Sequence, residues 1–252
     1  EIVKDNGIVL SEKKAVLGKS EIEYLGIIIT PDGLKLQEHV LTKIKNFGDK
    51  LSGKEQAQKY LGCVTFAGDF IPSLAELKHP IQKMLKKNVI WKWTPQCSEN
   101  MRTIARLCEK LPSLPLPRDN DDLVLETDAS QFYWGAVLKI VRGTNLVPAR
   151  YTSGTFKDAE TRYHINELEA LAIVKAIKKF SYWLRPISFR VRTDNTQAIA
   201  FLTKKTNSMF NDRIMRWQMY CSEYNISFEH IPGKANVLAD FLSREWMNSK
   251  TT

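Results

Sequence analysis

Residues 21–30, EIEYLGIIIT, form an isoleucine-rich run closed by Pro31-Asp32-Gly33 and followed by Leu34-Lys35-Leu36, a pattern that predicts a β-hairpin. Val40, Leu41, Ile44 and Phe47 then recur at helical spacing. A second helical stretch is predicted from about Lys54 to Phe70, stopped by Pro72. A third, about Leu74 to Lys87, is expected to be interrupted at Pro80, because proline lacks the amide proton a helix needs. Trp91 and Trp93 alternate with Lys92, and a further helix is predicted over Cys97–Lys110. This part of the chain therefore reads as a hairpin followed by helices.

The punctuation then changes. Pro112, Pro115 and Pro117 lead into Arg118-Asp119-Asn120-Asp121-Asp122, a proline-rich and then acidic stretch that marks the best domain boundary. Beyond it the pattern predicts strands over Leu123–Thr127, Tyr133–Arg142 and Leu146–Ser153, then a helix over Ile165–Phe180. A strand (Ser188–Thr193), a helix (Thr196–Thr203), a basic loop (204–211), a helix (Asp212–Tyr224), a strand (Ile226–His230) and a last helix (Ala235–Met247) follow. Three strands able to form an antiparallel meander, then alternating helix and strand, imply a mixed sheet with helices packed on it. The fold class is thus α/β, with an α+β character in the N-terminal part.

Composition narrows the function classes. At 252 residues, 43% hydrophobic and 26% charged, the chain suits one large or two small globular domains. No run approaches the ~18 apolar residues of a membrane helix, so no membrane partner is expected. The formal net charge is +9. The first 118 residues carry 19 basic and 13 acidic side chains and the remainder 18 and 15, so the N-terminal part is the more basic. Such an excess favours polyanionic partners. Cys63, Cys97, Cys108 and Cys221 show no C-x-x-C pairing, which fits a reducing compartment and neither a zinc ribbon nor a disulfide framework. The chain begins at Glu1 rather than methionine and reads as a fragment or proteolytic product.

Four carboxylates occupy informative places. Asp128 closes the apolar strand LVLETD, and Asp194 closes FRVRTD. The carboxyl edge of sheet strands is where open α/β folds place ligands, although either aspartate alone also suits a turn or a helix N-cap. Glu169 falls in the middle of the apolar helical face formed by Ile165, Ala172, Ile173, Ala176 and Phe180, where a carboxylate is costly unless paired or bound to a metal. Asp240 flanks the apolar stripe of the last helix, and is equally readable as a solvated position. If the four converge, two carboxylates about 4 Å apart repel by roughly 4 kcal/mol at an effective dielectric near 20. Oxygen-only donors suit Mg²⁺ or Mn²⁺ rather than zinc. Two such ions can serve the attacking water and the leaving oxygen of a phosphodiester.

The set TDAS (127–130), NELEALAIVKAI (166–177), RTDN (192–195) and HIPGKANVLADFLSR (230–244) resembles the ribonuclease H domain of reverse-transcribing elements. The resemblance implies an RNase H-like five-stranded mixed sheet. It also makes Asp128, Glu169, Asp194 and Asp240 a catalytic set binding two Mg²⁺ ions, with Mn²⁺ as an alternative. Upstream, EYLGIIITPDGLKL (23–36), with Tyr24 and Gly26, resembles the end of a polymerase palm and its primer-gripping hairpin. YLGCVTFAGDFIP (60–72), HPIQKMLKKN (79–88) and WKWTPQC (91–97) resemble the thumb-like segment that follows. TDASQFYWGAVLK (127–139), RYTSGTFKDAE (150–160) and ADFLSRE (239–245) bring the match nearest to plant pararetroviruses of the caulimovirus family, with a bacilliform, badnavirus- or tungrovirus-like member as the finer reading. The implied organisation is 1–36 as palm end, 37–118 as thumb- or connection-like and 119–252 as ribonuclease H. The implied partners are an RNA–DNA hybrid or template-primer and the polymerase part of the same or a longer chain, in host cytoplasm and virion; oligomeric state stays open.

Two departures qualify the resemblance. The polymerase signature of an aromatic residue, a variable pair and two aspartates is absent, since the only Asp-Asp pair, Asp121-Asp122, lies in the acidic linker. This chain is therefore not expected to polymerise by itself. The mobile histidine that many ribonucleases H carry before the last aspartate has no clear counterpart: His230 precedes a short loop, and reads as structural, with Lys234 at most a phosphate contact. For the hybrid, candidate contacts are Lys204, Lys205 and Asn207 in the basic loop, Arg213 and Arg216 on the next helix, and Asn195 beside Asp194; a merely solvated charge cluster fits as well. Trp134 and Trp217 are expected in the core, while Trp91, Trp93 and Trp183 suit either packing or nucleic acid. The primary expectation is a metal-dependent endonuclease cutting the RNA strand of hybrids. The alternative is a non-catalytic template-primer-binding subunit or connection module, favoured by the missing palm carboxylates and opposed by the four ligands. A transposase or integrase, with three carboxylates in another order, has little support.

Overall fold

The structure, a computed structural model, describes residues 7, 18–71, 73–118, 120–203 and 212–243. Its first element is an antiparallel sheet of β1 (Ile22–Tyr24), β2 (Ile27–Thr30) and β3 (Gly33–Leu36), in that order. The Ile-rich run is thus two strands rather than one. Leu25 and Gly26, at φ +48° and +88°, make a two-residue loop that pairs Tyr24 with Ile27. Positive φ at both loop positions matches the twist of paired strands, and glycine supplies one of them freely. The expected turn at Pro31-Asp32 joins β2 to β3, with the Thr30 hydroxyl donating to the Gly33 carbonyl at 3.0 Å.

Helices α1 (Glu38–Asn46), α2 (Lys54–Phe66), α3 (Leu74–Met84) and α4 (Pro95–Cys108) complete the first unit. The expected break at Pro80 does not occur. Leu74, Leu77, Ile81 and Met84 form one buried stripe across the proline, and that packing holds the helix through the lost amide. α4 begins two residues earlier than the periodicity suggests, because Pro95 takes the first turn and the Thr94 hydroxyl accepts from the Cys97 amide at 3.4 Å. One hydrophobic core joins the hairpin to the helices, running from Leu36 and Val40 through Tyr60, Ile81 and Ile104 to Leu114.

Leu114 exchanges backbone hydrogen bonds with Leu34, at 2.7 and 2.9 Å, so the chain returns to β3 before crossing to the second unit. Gly33 permits this approach: a Cβ there would stand 2.2 Å from the Leu114 carbonyl oxygen.

The second unit is a five-stranded sheet in the order β6 (Asn145–Thr155), β5 (Tyr133–Arg142), β4 (Leu123–Ala129), β7 (Phe189–Thr193) and β8 (Ile226–His230). The β6–β5–β4 meander is antiparallel and β4, β7 and β8 run parallel, as a mixed sheet requires. Pro148 is tolerated because β6 is an edge strand with a register shift opposite Leu138 and Lys139. Helix α5 (Ile165–Lys179) packs on β4 and β5. The short α6 (Ser181–Leu184), α7 (Thr196–Thr203) and α8 (Asp212–Cys221) follow, and α9 (Val237–Ser243) lies against β4 and β5. A second core gathers Leu125, Leu138, Ile173, Ile177, Val191 and Trp217. Trp134 and Trp217 are buried in it, as expected. No helix among the described residues is long and apolar enough to cross a membrane.

The two units touch along β6. The Ala75 amide donates to the Ser153 hydroxyl at 3.0 Å, the Arg150 guanidinium donates to the Pro115 carbonyl at 3.2 Å, and Tyr151 packs on the first core.

Candidate active site

Asp128 is the penultimate residue of β4, within the strand rather than past its end, and it pairs with Gly135 of β5. The absence of a side chain at Gly135 sets the geometry of the site. A Cβ there would stand 2.3 Å from Leu242 Cβ and 2.7 Å from the Leu242 carbonyl carbon, so only glycine lets α9 lie this close to the sheet. The helix is tied down by two buried polar groups. Asn236 donates its side-chain amide to the Thr127 carbonyl at 3.0 Å, and the Ser243 hydroxyl contacts the Asp128 carboxylate and lies 3.0 Å from the Asp240 carbonyl.

Glu169 is held by the start of α5, where His164 and Glu167 form a reciprocal cap: the His164 ring accepts from the Asn166 amide at 3.3 Å, and the Glu167 carboxylate accepts from the His164 amide at 3.3 Å. One turn on, Glu169 is 5% exposed and its Oε2 has no hydrogen-bond partner. Burial pushes its carboxyl up to about 9, helped by the charges of Asp128 and Asp194 and opposed by the Ala129 amide. Asp194 follows β7 directly. Its carbonyl lies 3.2 Å from His230 Nε2, and Gly233 leaves room for its carboxylate, since a Cβ there would be 2.8 Å from Asp194 Oδ2.

Carboxylate oxygens of Asp128, Glu169 and Asp194 all lie within 4.8 Å of one another. Asp240 lines the same open hollow, of about 370 Å³, together with Ser130, Asn195 and Ser243. The site thus collects acidic oxygens around a buried one without a hydrogen-bond partner, with no lysine or arginine among the described lining residues. Such a donor set fits a hard divalent cation, which would replace repulsion by coordination.

The expected nucleic-acid contacts divide into four groups. Lys204, Lys205 and Asn207 lie outside the described residues. Asn195 borders the carboxylates and caps α7, its Oδ1 accepting from the Ala198 amide at 2.9 Å while its amide donates to Asn166 at 2.9 Å. Arg213 is held by Glu167 at 2.6 Å and lies 3.8 Å over the Tyr163 ring, whereas Arg216 is exposed. Tyr24, 61% exposed, and Gly26 belong to the hairpin of the first unit, away from the carboxylate hollow. Sequence reasoning missed Ser243, Asn236 and Gly135 as parts of the site. Ser243 alone carried a signal, three residues beyond Asp240 and therefore on the same helical face.

Comparison with known proteins agrees with this architecture. Residues 118–224 match the family described as an RNase H-like domain found in reverse transcriptase. The "Enzymatic polyprotein" of Cauliflower mosaic virus (strain NY8153) is 44% identical over 247 residues, covering 96% of this chain and 36% of that protein. That of Figwort mosaic virus is 43% identical over 250 residues, covering 98% and 37%. The chain therefore spans little more than a third of the length of these relatives. A foamy viral protease-reverse transcriptase solved with RNA/DNA hybrid superposes with a TM-score of 0.71 at 21% identity, covering 88% of this chain and 30% of that one. The complex with dsDNA gives 0.70, covering 88% and 47%, so the fold is shared across both units. The chain belongs with the caulimovirus enzymatic polyproteins, and its second unit is the RNase H-like domain of a viral reverse transcriptase polyprotein.

Proposed function

We propose that this chain is a metal-dependent endonuclease that cuts the RNA strand of RNA–DNA hybrids. The observation that carries the reading is the convergence of Asp128, Glu169 and Asp194, with Asp240 in the same hollow and one buried carboxylate oxygen unpartnered. Asp128, Glu169, Asp194 and Asp240 would hold two Mg²⁺ ions, or Mn²⁺. When bound, the ions supply charge for the attacking water and the leaving oxygen of an in-line displacement. The protein's part is to hold four carboxylates on two strand ends and two helices before substrate arrives. Ser243 and Asn236 keep α9 and β4 in register, and the Glu167–His164 cap fixes the turn that presents Glu169.

The wider reading follows from the same resemblance. Residues 1–36 act as the end of a polymerase palm, with Tyr24 and Gly26 gripping primer, and 37–118 as a thumb- or connection-like region. Residues 119–252 form the nuclease, and the basic residues Lys204, Lys205, Asn207, Arg213 and Arg216, with Asn195, contact the hybrid. The polymerase region of a longer chain is the partner, in host cytoplasm and virion. The second reading, a non-catalytic template-primer-binding module, is favoured by the basic first 118 residues and the missing palm signature.

Cleavage of a labelled hybrid with Mg²⁺, Mn²⁺ or EDTA, beside single-stranded RNA and an RNA duplex, separates the two. Metal-dependent cutting of the hybrid's RNA strand alone is expected, with Asp128→Asn abolishing it while the fold and hybrid binding persist. Hybrid binding without cleavage in the unmutated chain would support the second reading, and full activity of D128N would overturn the first.

A further inference from the structure

A separate hollow of about 370 Å³ lies between the two units, walled by Thr65 and Lys78 of the first, by Ser153 and Thr155 on β6, and by Lys175, Lys178 and Lys179 at the end of α5. Four lysines thus line the hollow, and among the described lining residues there is one carboxylate, Asp69. Three of them have partners. Lys175 pairs with Glu160 at 3.1 Å, Lys178 lies 4.8 Å over the Tyr220 ring, and Lys179 reaches Asp69 at 3.6 Å.

Lys78 has none of this. It is half-buried, its hydrogen bond to the Thr65 hydroxyl is 3.5 Å long, and among the described residues no carboxylate stands within ion-pair distance. Burial and the neighbouring Lys179 charge both push its ammonium down from the ordinary lysine value. The rest of the wall is also rich in donors. Ser153 accepts from the Ala75 amide, which leaves its own proton for another acceptor, and Leu74 brings the positive end of the α3 dipole to the hollow. A site where ammonium and hydroxyl donors outnumber the one lining carboxylate is complementary to a tetrahedral oxyanion.

We propose that this hollow is a second, non-catalytic anion site that takes phosphate oxyanions between the two units. Lys78 approaches from the first unit and Lys178 and Lys179 from the second, so a bound phosphate bridges them. Two sources share this chemistry: a backbone phosphate of a bound duplex, or free phosphate or pyrophosphate. Lys178 lies nine residues beyond Glu169 on α5, about 14 Å at 1.5 Å per residue, within the span of one duplex seated on the carboxylates. The duplex source rests on the hybrid-cutting reading; the free-anion source does not.

The test uses the full chain in EDTA, with Lys78→Met, Lys78→Arg and the pair Lys178→Gln/Lys179→Gln. At fixed ionic strength in chloride, pyrophosphate is expected to raise the melting midpoint of the parent and of K78R, with the rise lost in K78M. K78M without ligand is expected to melt no lower than the parent, since a half-buried cation held by only one long hydrogen bond has gone. Hybrid binding across a chloride series reads the other source: the paired variant should flatten the slope of log K against log salt by about one to two. A lost pyrophosphate response alone assigns free phosphate, and a flattened slope alone assigns the duplex. A pyrophosphate response unchanged in K78M, together with an unchanged slope or no hybrid binding by the parent, overturns the site whatever the cleavage assay shows.

Discussion

Glu169 carries the sharpest consequence at the scale of single residues. In the metal-free protein its carboxyl titrates near 9, against 4.5 for an ordinary glutamate, so the folded state holds a proton that the unfolded chain has released. Between those values the folded state binds more protons, and stability falls as pH rises. Glu169→Gln is therefore expected to raise the melting midpoint by a few degrees in EDTA at pH 8, to leave it nearly unchanged at pH 4, and to abolish cleavage. Thermal melts at the two pH values check this, and equal shifts at both would contradict it. Glu169 was legible because a carboxylate inside an apolar helical stripe is a local conflict visible in the one-dimensional pattern. Asn236 and Ser243 were not, because a buried amide or hydroxyl is recognisable only by the carbonyl or carboxylate it meets, at positions 127 and 128, more than a hundred residues away.

Among elements, the sheet and α5 followed from the pattern, while boundaries and crossings depended on tertiary contacts. The two strands hidden in EIEYLGIIIT are separated by a loop that only pairing reveals, and Pro80 is carried through α3 by side chains packed on either side of it. The seating of α9 on β5 rests on Gly135, an unremarked glycine in a strand pattern. Gly135→Ala is expected to destabilise the chain by about 1–3 kcal/mol through overpacking and to weaken cleavage more than hybrid binding, because the shifted helix carries Asp240. Denaturant melts and hybrid titration with the same sample distinguish this from general unfolding; unimpaired cleavage would show that α9 need not sit so close.

The described residues form two cores, one reaching Leu114 and the other starting at Leu123. What composition did not reveal is how firmly the units adhere along β6, through Ser153, Arg150 and Tyr151. Residues 119–252 alone keep a complete core but lose those contacts. They are expected to fold cooperatively and to melt several degrees below the full chain, as calorimetry of the two would show. An equal midpoint would mean that the junction contributes nothing to the second unit.

The paired backbones of Leu34 and Leu114 have a modular reading. The helical stretch between them leaves the molecule at the point where it enters, closed by two hydrogen bonds as by a clasp. A segment with adjoining ends can be lengthened, shortened or exchanged without displacing what precedes or follows it. The stretch between the hairpin and the five-stranded sheet is thus built as a closed cassette, with the clasp as its border.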